Sequence, residues 1–139
     1  VLVSCTPGGL VSHVTSSYGG AASDRQIVER SNLPQICDPK DSIMADKGFN
    51  VQDIFAPYDV HINIPQLFKK KNRLSGETVM KDRKIALKRV HIKHVIGLGK
   101  TFKILTQRMS TIDAKMSSKI IFICYMLCNF KRNIVPSNA

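Results

Sequence analysis

A carboxylate stands at the end of a short apolar run. Ile43, Met44 and Ala45 lead into Asp46, a Lys47-Gly48 turn follows, and Phe49 closes it. A buried strand that ends on an acid and breaks at glycine can hold a negative charge at a sheet edge. Open α/β sheets place ligands and catalytic groups at such strand ends. Asp-x-Gly is also a common tight turn, and the local pattern alone favours that plainer role. Asp24 follows a run of small residues and shares with Ser23 the ability to cap the next helix.

Positive charge is the second feature with chemical content. The 139 residues carry 21 Lys+Arg against 10 Asp+Glu, a net charge of +11. Between Lys69 and Lys103 there are 12 basic residues and two acids, Glu77 and Asp82, so +10 of the +11 lies in a quarter of the chain. A uniformly solvated surface would not concentrate charge this way. The expected partner is a polyanion, with nucleic acid first and an anionic membrane surface second. The longest apolar run, 120–128, is nine residues, too short to span a bilayer. The four cysteines (Cys5, Cys37, Cys124, Cys128) lack metal-ligand spacing and read as small buried apolar residues in a reducing compartment.

These residues need elements to position them. Residues 1–5 and 10–15 are β-rich around Thr6-Pro7-Gly8-Gly9, which predicts a hairpin. A helix is expected over 25–31, then a connection with two prolines over 32–40. A strand over 42–46 should deliver Asp46. Asn50 is expected to cap a helical turn over 51–56, stopped by Pro57. Residues 60–64 alternate with period two, placing Val60, Ile62 and Ile64 on one face and His61 on the other. Residues 66–75 are polar and basic and read as a loop. A long helix should run over 76–98, with Ser75, Glu77 and Thr78 as start signals. Its expected packed face carries Val79, Ala86, Val90 and Gly97, joined by Met80, Leu87 and Ile96. Lys81, Lys84 and Lys88 share another face, and Gly97 and Gly99 should break or bend the helix. Ser110 or Thr111 can cap a last helix with its core over 116–130, apolar almost all round. Residues 129–139 read as a frayed tail. The chain opens on Val1, already in strand-like sequence, which suggests an N-terminal truncation.

Three segments in order carry a family resemblance: Tyr18-Gly19-Gly20-Ala21-Ala22-Ser23-Asp24, then Ile43-Met44-Ala45-Asp46-Lys47-Gly48-Phe49, then Arg89-Val90-His91-Ile92-Lys93-His94-Val95-Ile96-Gly97. With them the chain resembles the catalytic domain of DDE-superfamily endonucleases, in the branch related to PIF/Harbinger transposases. Residues 56–65 and the helix ending Leu127-Cys128-Asn129-Phe130 fit the same family. The resemblance implies an α/β fold, an RNase H-like mixed sheet flanked by helices, occupying residues 1–130 with a tail over 131–139. It implies metal-dependent cleavage of DNA in the nucleus, with divalent cations (Mg²⁺) held by carboxylates at strand ends. By position, Asp24 and Asp46 match the family's metal-binding, catalytic aspartates. Lys69, Lys70, Lys71, Arg73, Lys84, Lys88 and Arg89 are the expected nucleic-acid contacts.

Two departures accompany the match. The family's first acid belongs to a strand upstream of Val1. Its last acid is a helical glutamate in an Arg-x-His-x-Glu-Arg arrangement, and this chain has Lys93 there, with His94 in place of the arginine. An ammonium repels Mg²⁺ and could instead pair with Asp46 or Asp24. Three readings follow: a DDE nuclease domain by descent that does not cleave, a non-catalytic DNA- or protein-binding module of that descent, or a generic basic α/β domain. His91 is the matched motif residue, expected to pack or touch phosphate.

Overall fold

The computed structural model describes residues 1–64 and 76–131. The chain forms two compact units, Val1–Ala22 with His91–Ala139, and Ser23–Val90. The expected loop over 66–75 and residues 132–139 of the expected tail lie outside the described residues.

In the first unit the hairpin is present. Strands β1 (Val3–Cys5) and β2 (Val11–Val14) pair antiparallel, with Val3 opposite Val14, Ser4 opposite His13, and a bulge between Ser4 and Cys5. The Thr6 N–H donates to the Leu10 carbonyl at 2.8 Å, and the Gly9 N–H to the Thr6 carbonyl at 2.9 Å. Gly9 sits at φ 86°, which glycine adopts without a Cβ penalty. The last helix of this unit, Thr111–Cys128, packs on β2 and is α6 in chain order. Of its two candidate caps Ser110 acts, in a reciprocal capping box with Asp113. Cys124, Tyr125 and Cys128 bury against Val11, Val14 and Val95. Burial pushes the Cys124 and Cys128 thiols up, which keeps them protonated and inert.

The expected fraying from residue 129 is corrected by two contacts. The Asn129 side-chain amide pairs with the backbone of Val11: Oδ1 accepts from the Val11 N–H at 2.7 Å and Nδ2 donates to its carbonyl at 3.0 Å. Lys131 Nζ donates to Thr101 Oγ1 at 2.8 Å and lies 4.5 Å from the Phe102 ring centre. Asn129 thus covers part of the open edge of β2, as a neighbouring strand would.

In the second unit α1 (Asp24–Arg30) starts at Ser23, whose hydroxyl accepts from the Gln26 N–H while Gln26 returns a bond to the Ser23 N–H. Residues 33–36, expected within a plain connection, form a short helix α2 (Leu33–Ile36) with a proline in its first turn. Strand β3 (Ser42–Met44) pairs parallel with β4 (His61–Asn63), Ile43 opposite Ile62. Parallel strands need a long crossover, and α3 (Gln52–Phe55) with a 3-10 turn (Ala56–Tyr58) supplies it. Val51 is the N-cap position of α3, not Asn50, and Pro57 continues the turn. The Gln52 amide holds the Val60 carbonyl (3.1 Å) and the Ile62 N–H (2.7 Å). Val60 and Ile62 are buried and His61 is exposed, as the alternation requires; Val28, Val51 and Phe55 are fully buried. β3 is less buried than its apolar run suggested: Ile43 is half-buried and Met44 exposed.

Arg25 ties α1 to α3 through a fork onto Asp53, with N···O distances of 2.9 and 2.6 Å, and also reaches Glu29 at 3.0 Å. Hydrogen bonds from Arg25 hold the Asp53 carboxyl below its usual range. A depressed folded pKa gives stability that is present at neutral pH and lost as pH falls through that pKa, below about pH 4. Both side chains are exposed, so the effect is small. Thermal unfolding at pH 7 should find Asp53→Asn less stable than wild type, and the gap should narrow steadily as pH falls below about 4. A gap that does not change with pH would exclude the ion pair as its cause.

The long helix α4 (Gly76–Gly99) spans the expected residues, and the unit boundary falls inside it, after Val90. It is not broken at Gly97. Its expected packed face is corrected: Met80, Ala86, Leu87, Val90, Ile96 and Gly97 are exposed. The less exposed positions are Val79, Asp82, Ile85 and Arg89 in the second unit, and Ile92, Val95, Leu98 and Gly99 in the first. Apolar residues are spread round this helix, so periodicity could not select a face. Among the described residues the strands make two separate two-stranded sheets, β1-β2 and β3-β4.

Candidate functional site

Asp46 lies two residues beyond β3, in the turn that the Lys47-Gly48 pair predicts. The Phe49 N–H closes that turn on the Asp46 carbonyl at 2.9 Å, and the Lys47 N–H donates to Asp46 Oδ1 at 2.7 Å. The carboxylate also holds a cation. Arg89 Nη2 is 2.6 Å from Oδ1. The two members differ in setting: the Arg89 side chain is 22% exposed and that of Asp46 74%. The arginine is therefore the member that depends on the contact, because its charge has little water to fall back on. Arg89 stands one helical turn before Lys93. The chain's expected partner for Asp46 was Lys93, and the residue that reaches it is Arg89.

Asp24 is the first helical residue of α1 and is exposed, with Ser23 taking the capping role. Lys81, Lys84 and Lys88 are exposed on α4, while Arg89 turns to the less exposed side with Asp82. Lys69, Lys70, Lys71 and Arg73 lie outside the described residues. Lys93 and His94 are exposed and His91 is half-buried.

Sequence patterns gave no sign of three buried polar atoms without a hydrogen-bond partner among the described residues: Asp82 Oδ2, His91 Nδ1 and His13 Nε2. Burial pushes the His13 imidazole below its usual range, which keeps it neutral at pH 7.

A two-ion centre needs several hard oxygen donors converging on one place. Among the described residues no three of His, Cys, Asp and Glu come together in such a group. The remaining residues contain none of these four types. Asp46 offers its Oδ1 to a guanidinium, and the helical position expected to bring a further acid carries Lys93. The donor set does not fit a two-metal centre. What the arrangement does chemically is neutralise Asp46 with a fixed organic cation and present the α4 lysines to solvent. No helix among the described residues is long and apolar enough to cross a membrane.

No curated protein and no solved structure matches the chain. A family model does, over residues 1–129: the DDE superfamily endonuclease. That match spans every strand and helix among the described residues, so the chain belongs to the DDE superfamily endonucleases.

Proposed function

We propose that this chain is a transposase-derived DDE nuclease domain of the PIF/Harbinger type that holds DNA without cutting it. Endonucleases of this family generally use divalent metal ions and act on DNA. The observation that carries the silent reading is the 2.6 Å contact between Arg89 and Asp46. A guanidinium that close occupies the carboxylate face a metal ion would need, and the cation's charge opposes a second one. Asp24 and Asp46 are then relics of the metal-binding pair, with Asp46 retained as an anchor for α4. The domain is read as residues 1–130, with an RNase H-like ancestry and a nuclear location.

DNA binding rests on the exposed lysines of α4, with Lys84 and Lys88 as phosphate contacts. Lys69, Lys70, Lys71 and Arg73 extend the basic tract in sequence. Phosphate contacts release counterions, so affinity for a labelled duplex should fall steeply between about 50 and 200 mM salt. Lys84→Ala with Lys88→Ala should reduce the slope of log affinity against log salt by about two. The same duplex should stay uncut in Mg²⁺ or Mn²⁺. Metal-dependent nicking by the purified chain overturns the silent reading; binding indifferent to salt overturns the DNA reading. A second reading, a protein-binding module of the same descent, draws on the exposed apolar side chains of α6.

A further inference from the structure

We infer that the outward face of α6, with the hollow beside the end of β2, is a docking site for an acidic amphipathic helix of another protein. This inference stands on the first unit alone and does not depend on DNA binding.

The face is unusual for a surface. Ile112, Met116, Ile123 and Leu127 share one side of the helix, with Lys119 among them midway, Phe130 lies just beyond, and the five apolar side chains are between 47 and 88% exposed. Side chains three, four, seven and eleven apart share one side of a helix. The opposite side, with Cys124, Tyr125 and Cys128, is already used against β2. Monomers rarely leave so long an apolar stripe bare, and such stripes mark interaction surfaces. From Ile112 to Leu127 the stripe runs about 22 Å, which matches about four turns of a partner helix.

Concavity comes from the neighbouring strand. A hollow of about 370 Å³ opens between Val14, Thr15 and Ser16 on one side and Lys119, Phe122 and Ile123 on the other. It would receive one bulky apolar anchor, the usual centre of an interface of this kind. The wall on the β2 side is fixed: the Ser17 N–H donates to Ser118 Oγ at 3.0 Å, and the Ser17 and Ser117 hydroxyls are 2.5 Å apart.

Charge selects the partner. Lys115 is exposed beside the stripe, and Lys119, exposed on the stripe itself between Met116 and Ile123, lines the hollow. The one acid in α6, Asp113, is spent on the Ser110 cap. Charges beside an apolar groove steer and discriminate partners. A second copy fits poorly. Antiparallel self-pairing of the stripe about its midpoint would set Lys119 against Ile123, with no acid on the face to receive either ammonium, between chains that each carry +11. Nucleic acid fits poorly too, since an apolar stripe offers phosphate nothing.

The probe is a labelled 16-residue synthetic helix with leucines at i, i+4, i+7 and i+11 and glutamates on both flanks. Controls are the same composition in scrambled order, and the same leucines with lysine flanks. Fluorescence anisotropy should show the acidic amphipathic peptide binding at least about tenfold more tightly than either control. Ile123→Asp should weaken it at least about tenfold, and Lys119→Glu should weaken it and improve the lysine-flanked peptide. Both sites are exposed, so circular dichroism and Tm should stay at wild-type values. Equal binding of the scrambled peptide, or no loss with Ile123→Asp, overturns the inference. So does sedimentation as a dimer that Ile123→Asp converts to monomer, which would assign the face to a second copy.

Discussion

Alanine at Gly99 should cost the fold about 1–3 kcal/mol, whereas alanine at Gly97, two residues earlier on the same helix, should stabilise it by up to about 1 kcal/mol. The backbone of α4 is helical at both positions, so helix propensity alone predicts a gain at each. Surroundings decide the sign. A Cβ at Gly97 meets nothing within 4 Å. A Cβ at Gly99 would sit 2.5 Å from Cε1 and Cζ of Tyr125 and 2.8 Å from its hydroxyl. No carbon pair tolerates that approach. The ring has little room to retreat, because it is 8% exposed and packed with Val11, Val14, Val95 and Cys128. Each kcal/mol moves Tm by about 3–5 °C in a chain of this size, so the two variants should separate clearly in a thermal melt. A double-mutant cycle locates the cause: on a Tyr125→Leu background the penalty at Gly99 should largely vanish. If Gly99→Ala melts like Gly97→Ala, the close approach of helix and ring is wrong.

The same pair of glycines marks where sequence and structure part. Read as letters, Gly97 and Gly99 are two helix breakers near the end of a periodic run. In the fold, Gly97 is a tolerated weak point and Gly99 a packing necessity, and the difference is a ring 26 residues away. Local chemistry was legible. The hairpin followed from Thr6-Pro7-Gly8-Gly9, the start of α1 from Ser23, the start of α6 from Ser110, and the span of α4 from its flanking signals. Each rests on backbone conformation or a bond within a few residues.

What failed depended on distant partners. Asn129 read as tail because its two bonds go to Val11, 118 positions away. The inward face of α4 read wrongly because Met80, Leu87 and Val90 look like core while Asp82 and Arg89 do not. A half-buried arginine is sensible only once its carboxylate is known, and Asp46 is 43 residues upstream. The candidate site shows both sides of this. Asp46 was legible as a carboxylate set in a turn after a strand. Its partner was not, since spacing offered Lys93 and geometry supplied Arg89.

Removing either member of that pair should therefore have unequal effects. Asp46→Ala leaves a guanidinium whose side chain is 22% exposed without its carboxylate, and should cost about 1–3 kcal/mol. Arg89→Met keeps the length of the aliphatic stem and leaves behind a carboxylate 74% exposed, which water and the Lys47 N–H can serve. Its cost should stay under about 1 kcal/mol. The double variant should recover most of the loss of Asp46→Ala, because the stranded charge is gone. Denaturant midpoints with an unchanged m-value give the comparison. Equal costs, or a larger cost for Arg89→Met, would mean that the arginine is not the dependent member. The salt slope of DNA binding then separates the two roles open to Arg89. As a phosphate contact it would lower the slope by about one when replaced, as Lys84→Ala should. As the cation that holds Asp46 it should leave the slope where it was, and that is the expected result.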